Sequence, residues 1–134
     1  MPSDDLDLAT SLISFADLLQ DLIDDLFQTG QNRRAIQCMQ AQTTLRGAAD
    51  VILAADLRRE LESQSAVDAL NQLSAATATL NANAERIAQQ QKNVSAAIGI
   101  AAGALHIADA LAPFNLAAVL QGALDIRGIA QQTG

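Results

Sequence analysis

Apolar residues recur every three or four positions along most of the chain, which is the period of an α-helix that packs one face against a core. In the first 28 residues the spacing is a regular alternation of four and three. This stripe consists of Leu8, Leu12, Phe15, Leu19, Leu22 and Leu26. We expect a first helix that begins at Ser3 as N-cap and ends at Gly30, because glycine readily adopts the left-handed conformation found at helix ends.

A second helix is predicted from about Asn32 to Glu62, on a less regular apolar stripe. Its members are Ala35, Cys38, Leu45, Ala49, Ile52, Leu53, Leu57 and Leu61. Gly47 lies inside this helix at a cost of about 1 kcal/mol relative to alanine, which indicates a close neighbour. Because only two or three residues separate the first two helices, we expect an antiparallel hairpin over residues 3–62.

The longest regular pattern, which we call the heptad track, covers residues 66–112. Steps of four and three alternate without a slip through Ala66, Leu70, Leu73, Thr77, Leu80, Ala84, Ile87, Gln91, Val94, Ile98, Ala101, Leu105, Ala108 and Ala112. A sustained 3.5-residue period is typical of a coiled coil. With Ser65 as N-cap, the track predicts one helix about 70 Å long at 1.5 Å per residue. The polar stretch around Gln91 makes a break at 91–94 the alternative.

Pro113 ends this third helix, and a last helix is predicted from Phe114 and Asn115 to about Gln132. Half of the residues are hydrophobic but only 2% are aromatic, and no run alternates β-branched with polar residues as a strand would. The predicted fold is therefore all-α and a single domain, 1–134. It is a bundle of two antiparallel helical hairpins, 3–62 and 65–132, with about four helices and a long coiled-coil-like third helix.

The formal net charge of −7 comes from the N-terminal end, where seven aspartates and no base occur in the first 25 residues. Four of them form an acidic face on the first helix, away from its apolar stripe: Asp17, Asp21, Asp24 and Asp25. This face is simply solvated, forms ion pairs within the hairpin, where Arg33 and Arg34 are expected near Asp24 and Asp25, or is a docking site for a basic partner. An acidic chain without Trp or Tyr argues against nucleic-acid binding.

Catalytic chemistry has few candidates in this sequence. His106 and Asp109 lie one helical turn apart, but a metal site needs three or four ligands and there is no second histidine. Cys38, the only cysteine, lies on the apolar stripe of the second helix and is expected to be a core residue. No phosphate-binding glycine motif is present. We predict that the protein is not an enzyme and needs no cofactor or metal.

The segment 94–130 has the lowest charge, with Asp109 as the only charged residue between positions 92 and 125. We expect its two arms to pack antiparallel about Pro113, with Gly99 facing the region of Gly128 and Gly103 that of Leu124. Two pairs of small residues have the four-residue spacing that lets helix backbones approach closely; they are Gly99 with Gly103 and Ala118 with Gly122. Such a hairpin is the buried half of a bundle, a surface for another protein, or a membrane-active segment.

These features favour a non-enzymatic interaction protein that forms a homo-oligomer or binds another helical protein. The predicted interface consists of Val94, Ile98, Gly99, Ala101, Gly103, Leu105, Ala108, Leu116, Leu120 and Leu124. One alternative is a pore-forming or peripheral membrane protein, although Trp and Tyr anchors are absent. A second alternative is an acidic partner or inhibitor of a basic protein. The first residues lack the features of a Sec signal peptide, so we expect a cytoplasmic location, with signal-less export as the alternative.

Overall fold

The computed structural model describes residues 8–113 and 115–132, and all regular elements in this part of the chain are helical. They are α1 (Leu8–Gln28), α2 (Asn32–Ala55), α3 (Leu57–Ser63), α4 (Val67–Gln89), α5 (Val94–Ala110) and α6 (Leu116–Gln132), with a 3₁₀ turn (Gln91–Asn93) before α5. The all-α prediction is confirmed. The prediction of about four helices is wrong, because five long helices and one short one are present. The expected cap Ser3 lies outside the described residues.

Each long helix packs chiefly against two others, in the cyclic order α1, α2, α5, α6 and α4. Buried apolar side chains from all six helices form one connected core. The first predicted hairpin corresponds to α1 and α2. The second differs from the prediction, since α5 and α6 pair with each other while α4 packs against α6 and α1.

The turn between α1 and α2 forms as expected. Gly30 has a φ of 78°, and the next backbone N–H, of Gln31, donates to the carbonyl oxygen of Leu26 at 2.8 Å. A hydrogen bond to the residue five positions earlier is typical of a helix that ends with a residue in the left-handed conformation. The apolar stripe of α1 is buried throughout; Leu12, Phe15, Leu19 and Leu26 have no exposed area. Local pattern and tertiary packing agree in this helix.

The predicted second helix is interrupted at Asp56, which adopts a left-handed conformation (φ 52°, ψ 64°). Aspartate is one of the few residues that tolerate it. In an unbroken helix, 100° per residue would place Leu57 about 120° and Leu61 about 160° away from the buried Leu45. The break at Asp56 rotates α3 relative to α2, so that both leucines are buried. Leu53, which lies before the break, is 62% exposed.

Ser65 does not cap the third helix as predicted. It has a φ of 55° and ends α3, where the backbone N–H of Ala66 donates to the carbonyl oxygen of Leu61 at 3.0 Å. The N-cap of α4 is Ala66, which makes no side-chain cap. The serine thus ends one helix instead of starting the next.

The heptad track does not form one continuous helix. Gln90 is extended (φ −121°, ψ 126°), and α5 begins at Val94 after the 3₁₀ turn. The prediction of an unbroken helix over 65–112 is therefore wrong, and the alternative break at 91–94 is confirmed. The break allows α5 to pack along α2 and α6, which a straight helix of that length would prevent.

Candidate interaction surfaces

The α5–α6 hairpin turns between Ala110 and Leu116, as the position of Pro113 predicted. The backbone N–H of Asn115 donates to the carbonyl oxygen of Ala110 at 2.8 Å. The side-chain oxygen of Asn115 accepts from the backbone N–H of Ala118 at 3.2 Å and so satisfies a free donor in the first turn of α6. Proline and asparagine together end one helix and start the next.

Glycines bring the backbones of α5 and α6 into close contact. A Cβ atom on Gly122 would lie 2.5 Å from Cγ1 of Ile107 and 2.9 Å from the carbonyl oxygen of Gly103. A Cβ on Gly99 would lie 2.7 Å from Cδ1 of Ile129. No real Cβ contact is that short. Only glycine fits at position 122, where the backbone of α5 is in the way, whereas at position 99 the end of the Ile129 side chain would have to shift. The close antiparallel approach predicted for Gly99 and Gly103 is confirmed, and it is made within the chain.

The residues of the predicted interface fall into three groups by exposure. Val94, Ala101, Gly103 and Ala108 are buried; Gly99 and Leu120 are half-buried; Ile98, Leu105, Leu116 and Leu124 are exposed. The buried group contributes to the intramolecular core. The buried residues of this segment thus contribute to the core of the chain itself. The exposed group is accessible to a partner, and we call it the hairpin surface.

The hairpin surface keeps a sizeable apolar area in water. Ile98 is 38% exposed, Leu105 45%, and Leu116 and Leu124 40% each. On α5, Ala102 lies between Ile98 and Leu105 at helical spacing and is exposed as well. Exposed apolar residues that share one helix face are typical of protein contact sites.

A second exposed apolar region, on α2, was missed by the sequence reasoning. Ile36 is 50% exposed, Met39 44% and Val51 46%. With them on the side of α2 away from the core lie Gln40, Thr43, Gly47, Asp50 and Ala54, all exposed; we call these eight residues the α2 outer face. The irregular apolar stripe was a usable signal, because α2 carries large apolar residues on both of its sides.

Gly47 has no close neighbour within the described part of the chain. A Cβ atom built on it would meet no atom within 4 Å, so the expected intramolecular contact is not found. Gly128, on α6, is equally open. These two glycines contrast with Gly103 and Gly122, where a Cβ atom would meet the backbone of the facing helix.

Gln91, the polar position of the heptad track, joins three separate parts of the bundle. Its amide nitrogen donates to Asp25 Oδ2 at 2.7 Å, and its amide oxygen accepts from Gln31 at 2.5 Å. Its backbone carbonyl accepts from the guanidinium of Arg34. These bonds give partners to the polar groups of a half-buried residue. The cluster positions the start of α5 beside the start of α2.

The acidic face is exposed as predicted, but some of its members have partners within the chain. Asp17 forms an ion pair with Arg46 of α2 at 2.9 Å, and Asp24 accepts a hydrogen bond from Gln20 at 3.1 Å. A groove of about 470 Å³ lies between α1 and α4. It is lined by Leu18, Asp21, Leu22, Asp25, Glu85, Ala88 and Gln89. Three carboxylates and an apolar floor therefore share this groove.

The candidate chemical groups differ in burial. Cys38 is buried in the core, and burial raises the pKa of its thiol from 9.0 to about 11, which makes it a weak nucleophile at neutral pH. His106 and Asp109 are both exposed on α5. Among the described residues, no group of three or more His, Cys, Asp or Glu side chains could hold a metal ion.

By length and composition, residues Gln91–Ala110 could cross a membrane. They form a stretch of 20 residues with a mean hydropathy of 1.2. However, 56% of this stretch is buried inside the bundle, as in the core helix of a water-soluble protein. Its apolar character is therefore largely accounted for by contacts with α2 and α6.

Comparison of the chain with protein-family models, with characterised proteins and with solved structures finds no match. Its function must therefore be inferred from its own residues and surfaces.

Proposed function

We propose that this protein is a non-enzymatic interaction or assembly protein that binds a second copy of itself, or another helical protein, through the hairpin surface. The observation that supports this most directly is the exposure of Ile98, Leu105, Leu116 and Leu124, at 38–45% each. In the same segment Asp109 is the only charge between positions 92 and 125. A partner that covers these side chains would gain about 25 cal/mol for each Å² of apolar area removed from water.

Helical packing suits this surface. Ile98, Ala102 and Leu105 follow one another at steps of four and three on α5, which is the spacing that inserts into the grooves of a second helix. These apolar side chains offer no ligand atoms for a cofactor. The partner would therefore contribute an apolar helix, either from a second copy or from a different protein.

The test is the molar mass from light scattering in line with size exclusion, at physiological salt. We expect a mass above 14.0 kDa for the wild type, and a lower mass for Ile98→Asp and Leu105→Asp with helix content retained. Asn81→Asp is the matched control, because it adds the same charge to an exposed position of another helix, α4, without removing an apolar side chain. If neither apolar substitution changes the distribution of masses, self-association through this surface is contradicted.

A membrane-active hairpin is the second candidate, and the length and hydropathy of residues Gln91–Ala110 favour it. Insertion would require α5 and α6 to separate from α2 and α4 and to lose their buried contacts. The test is flotation with vesicles of neutral and of anionic lipid, at neutral and at acidic pH. Protein that stays at the bottom of the gradient in all four conditions would contradict this candidate.

A further inference from the structure

We propose that the α2 outer face pairs with the α2 outer face of a second copy, antiparallel, about a two-fold axis near position 45. This interaction is separate from the one proposed for the hairpin surface, since it involves a different helix. It would make a dimer that presents two hairpin surfaces.

The first argument is that the α2 outer face is uncovered and carries large apolar side chains among its polar ones. Ile36, Met39 and Val51 are 44–50% exposed, although α2 is held on its other sides by α1 and α5. Leu53, at the end of the helix, is exposed by 62%. A helix that offers large apolar side chains to water along its length is a site for another helix.

The second argument is the positional symmetry of this face. Residues 36, 40, 43, 47, 50 and 54 are separated by steps of four, three, four, three and four, and the series reads the same in both directions about position 45. Two copies related by a two-fold axis can therefore use the same residues on both sides, as isologous dimers do.

Antiparallel pairing in this register also joins suitable side chains. Gly47 of one copy faces Thr43 of the other, so the helices can approach closely at the crossing. Gly47 is the position where a side chain would meet nothing within its own chain, and a partner helix gives a reason for its small size. On either side of the crossing, Met39 faces Val51 and Ile36 faces Ala54, which are apolar contacts.

The third argument is charge, which favours antiparallel over parallel pairing of the two α2 helices. Arg33 is exposed at the start of α2, and Asp56 is exposed directly after its end. Neither belongs to the ion pairs found between described residues, which join Arg46 to Asp17 and Arg58 to Glu62. Antiparallel pairing about position 45 places Arg33 of each copy at the level of Asp56 of the other, so the two ends that meet carry opposite charges. Parallel pairing would instead oppose Arg33 to Arg33.

The experiment is sedimentation equilibrium of the full chain over a wide concentration range. We expect a monomer–dimer equilibrium for the wild type and loss of the dimer in Gly47→Gln, whose side chain has open space in the monomer but blocks the crossing. Gly128→Gln is the matched control, because this glycine of α6 is equally open and lies off the α2 outer face. Circular dichroism checks that both variants keep their helix content.

A double-mutant cycle tests the register of the pairing. We expect Arg33→Glu to raise the dimer dissociation constant about tenfold, because two like-charge contacts form in each dimer. In an Asp56→Asn background, which retains a residue that tolerates the left-handed conformation, Arg33→Glu should raise the constant by less than about threefold. An equal effect in the two backgrounds would overturn the proposed register.

Two other outcomes decide the proposal as a whole. A wild type that stays monomeric at all concentrations overturns it. A dimer that Gly47→Gln leaves intact and Leu105→Asp dissociates overturns it too, and in that case the hairpin surface of the proposed function is the site of self-association. Dissociation by Gly47→Gln but not by Gly128→Gln supports pairing through α2.

Discussion

In the α1–α2 hairpin, large side chains fill the space between the helices, whereas in the α5–α6 hairpin glycines let the backbones meet. Phe15 and Leu19 of α1 are fully buried, and the buried Gln42 of α2 donates to the carbonyl oxygen of Ala16 at 2.8 Å. At Gly103 and Gly122 the backbones of α5 and α6 are too close to each other to leave room for a Cβ atom. The first hairpin should therefore be sensitive to lost volume and the second to added volume.

The largest expected effect is the loss of volume in the first hairpin. Phe15→Ala should lower the free energy of unfolding by about 3–5 kcal/mol, because it removes apolar contacts and leaves a cavity. The measurement is urea denaturation followed by circular dichroism. Phe27→Ala, on the same helix but at a position 43% exposed, is the control and should cost less than about 1 kcal/mol. Equal losses would show that α1 does not pack as described.

Added volume should destabilise the second hairpin. In Gly122→Ala the new methyl group meets the backbone oxygen of Gly103, which cannot move without moving α5. We expect a loss of about 1–3 kcal/mol in the free energy of unfolding, although alanine is the better helix former. Thermal and urea denaturation of the variant measure this loss.

The control for that prediction is the same substitution at an open glycine. Gly47→Ala should raise the free energy of unfolding by up to about 1 kcal/mol, because the new methyl group meets no atom of the monomer and the helix propensity improves. Opposite signs at the two positions would confirm that close approach is confined to α5 and α6. A loss of stability at both would contradict the comparison.

The smallest expected effect concerns the ion pair that only the first of these hairpins has. Arg46 and Asp17 have side chains that are 49% and 65% exposed, so their interaction should contribute about 0–1 kcal/mol. A double-mutant cycle of Arg46→Ala with Asp17→Asn measures it at low and at high salt. The coupling should shrink as salt rises; a coupling that salt leaves unchanged would mean that the pair is not exposed.

Some parts of the fold followed from local patterns. The apolar stripe of α1, its end at Gly30 and the hairpin about Pro113 were predicted because each depends on residues close together in the sequence. The close approach at Gly99 and Gly103 was predictable for a similar reason, since a short turn fixes which residues of its two arms face each other. In these elements a local pattern is sufficient to determine the geometry.

The break at Asp56 and the exposure of the surfaces could not be predicted in the same way, and the break beside Gln91 was predicted only as an alternative. Asp56 breaks a helix so that Leu57 and Leu61 reach the core, and the need for that rotation exists only once the core is assembled. The predicted stripe of α2 left out Ile36, Met39 and Val51, and the α2 outer face was therefore not recognised. The predicted interface was only partly accessible, because burial depends on which helices become neighbours.

The sequence by itself determined that the chain is helical, which side of α1 faces the core, and where α5 and α6 turn. Only the tertiary structure decided that the heptad track divides into α4 and α5. A 3.5-residue period is satisfied equally by one long helix and by two shorter helices separated by a break. At the break, the polar groups of Gln91 bond to Asp25, Gln31 and Arg34. Those partners lie 57–66 positions away in the sequence, and only folding brings them together.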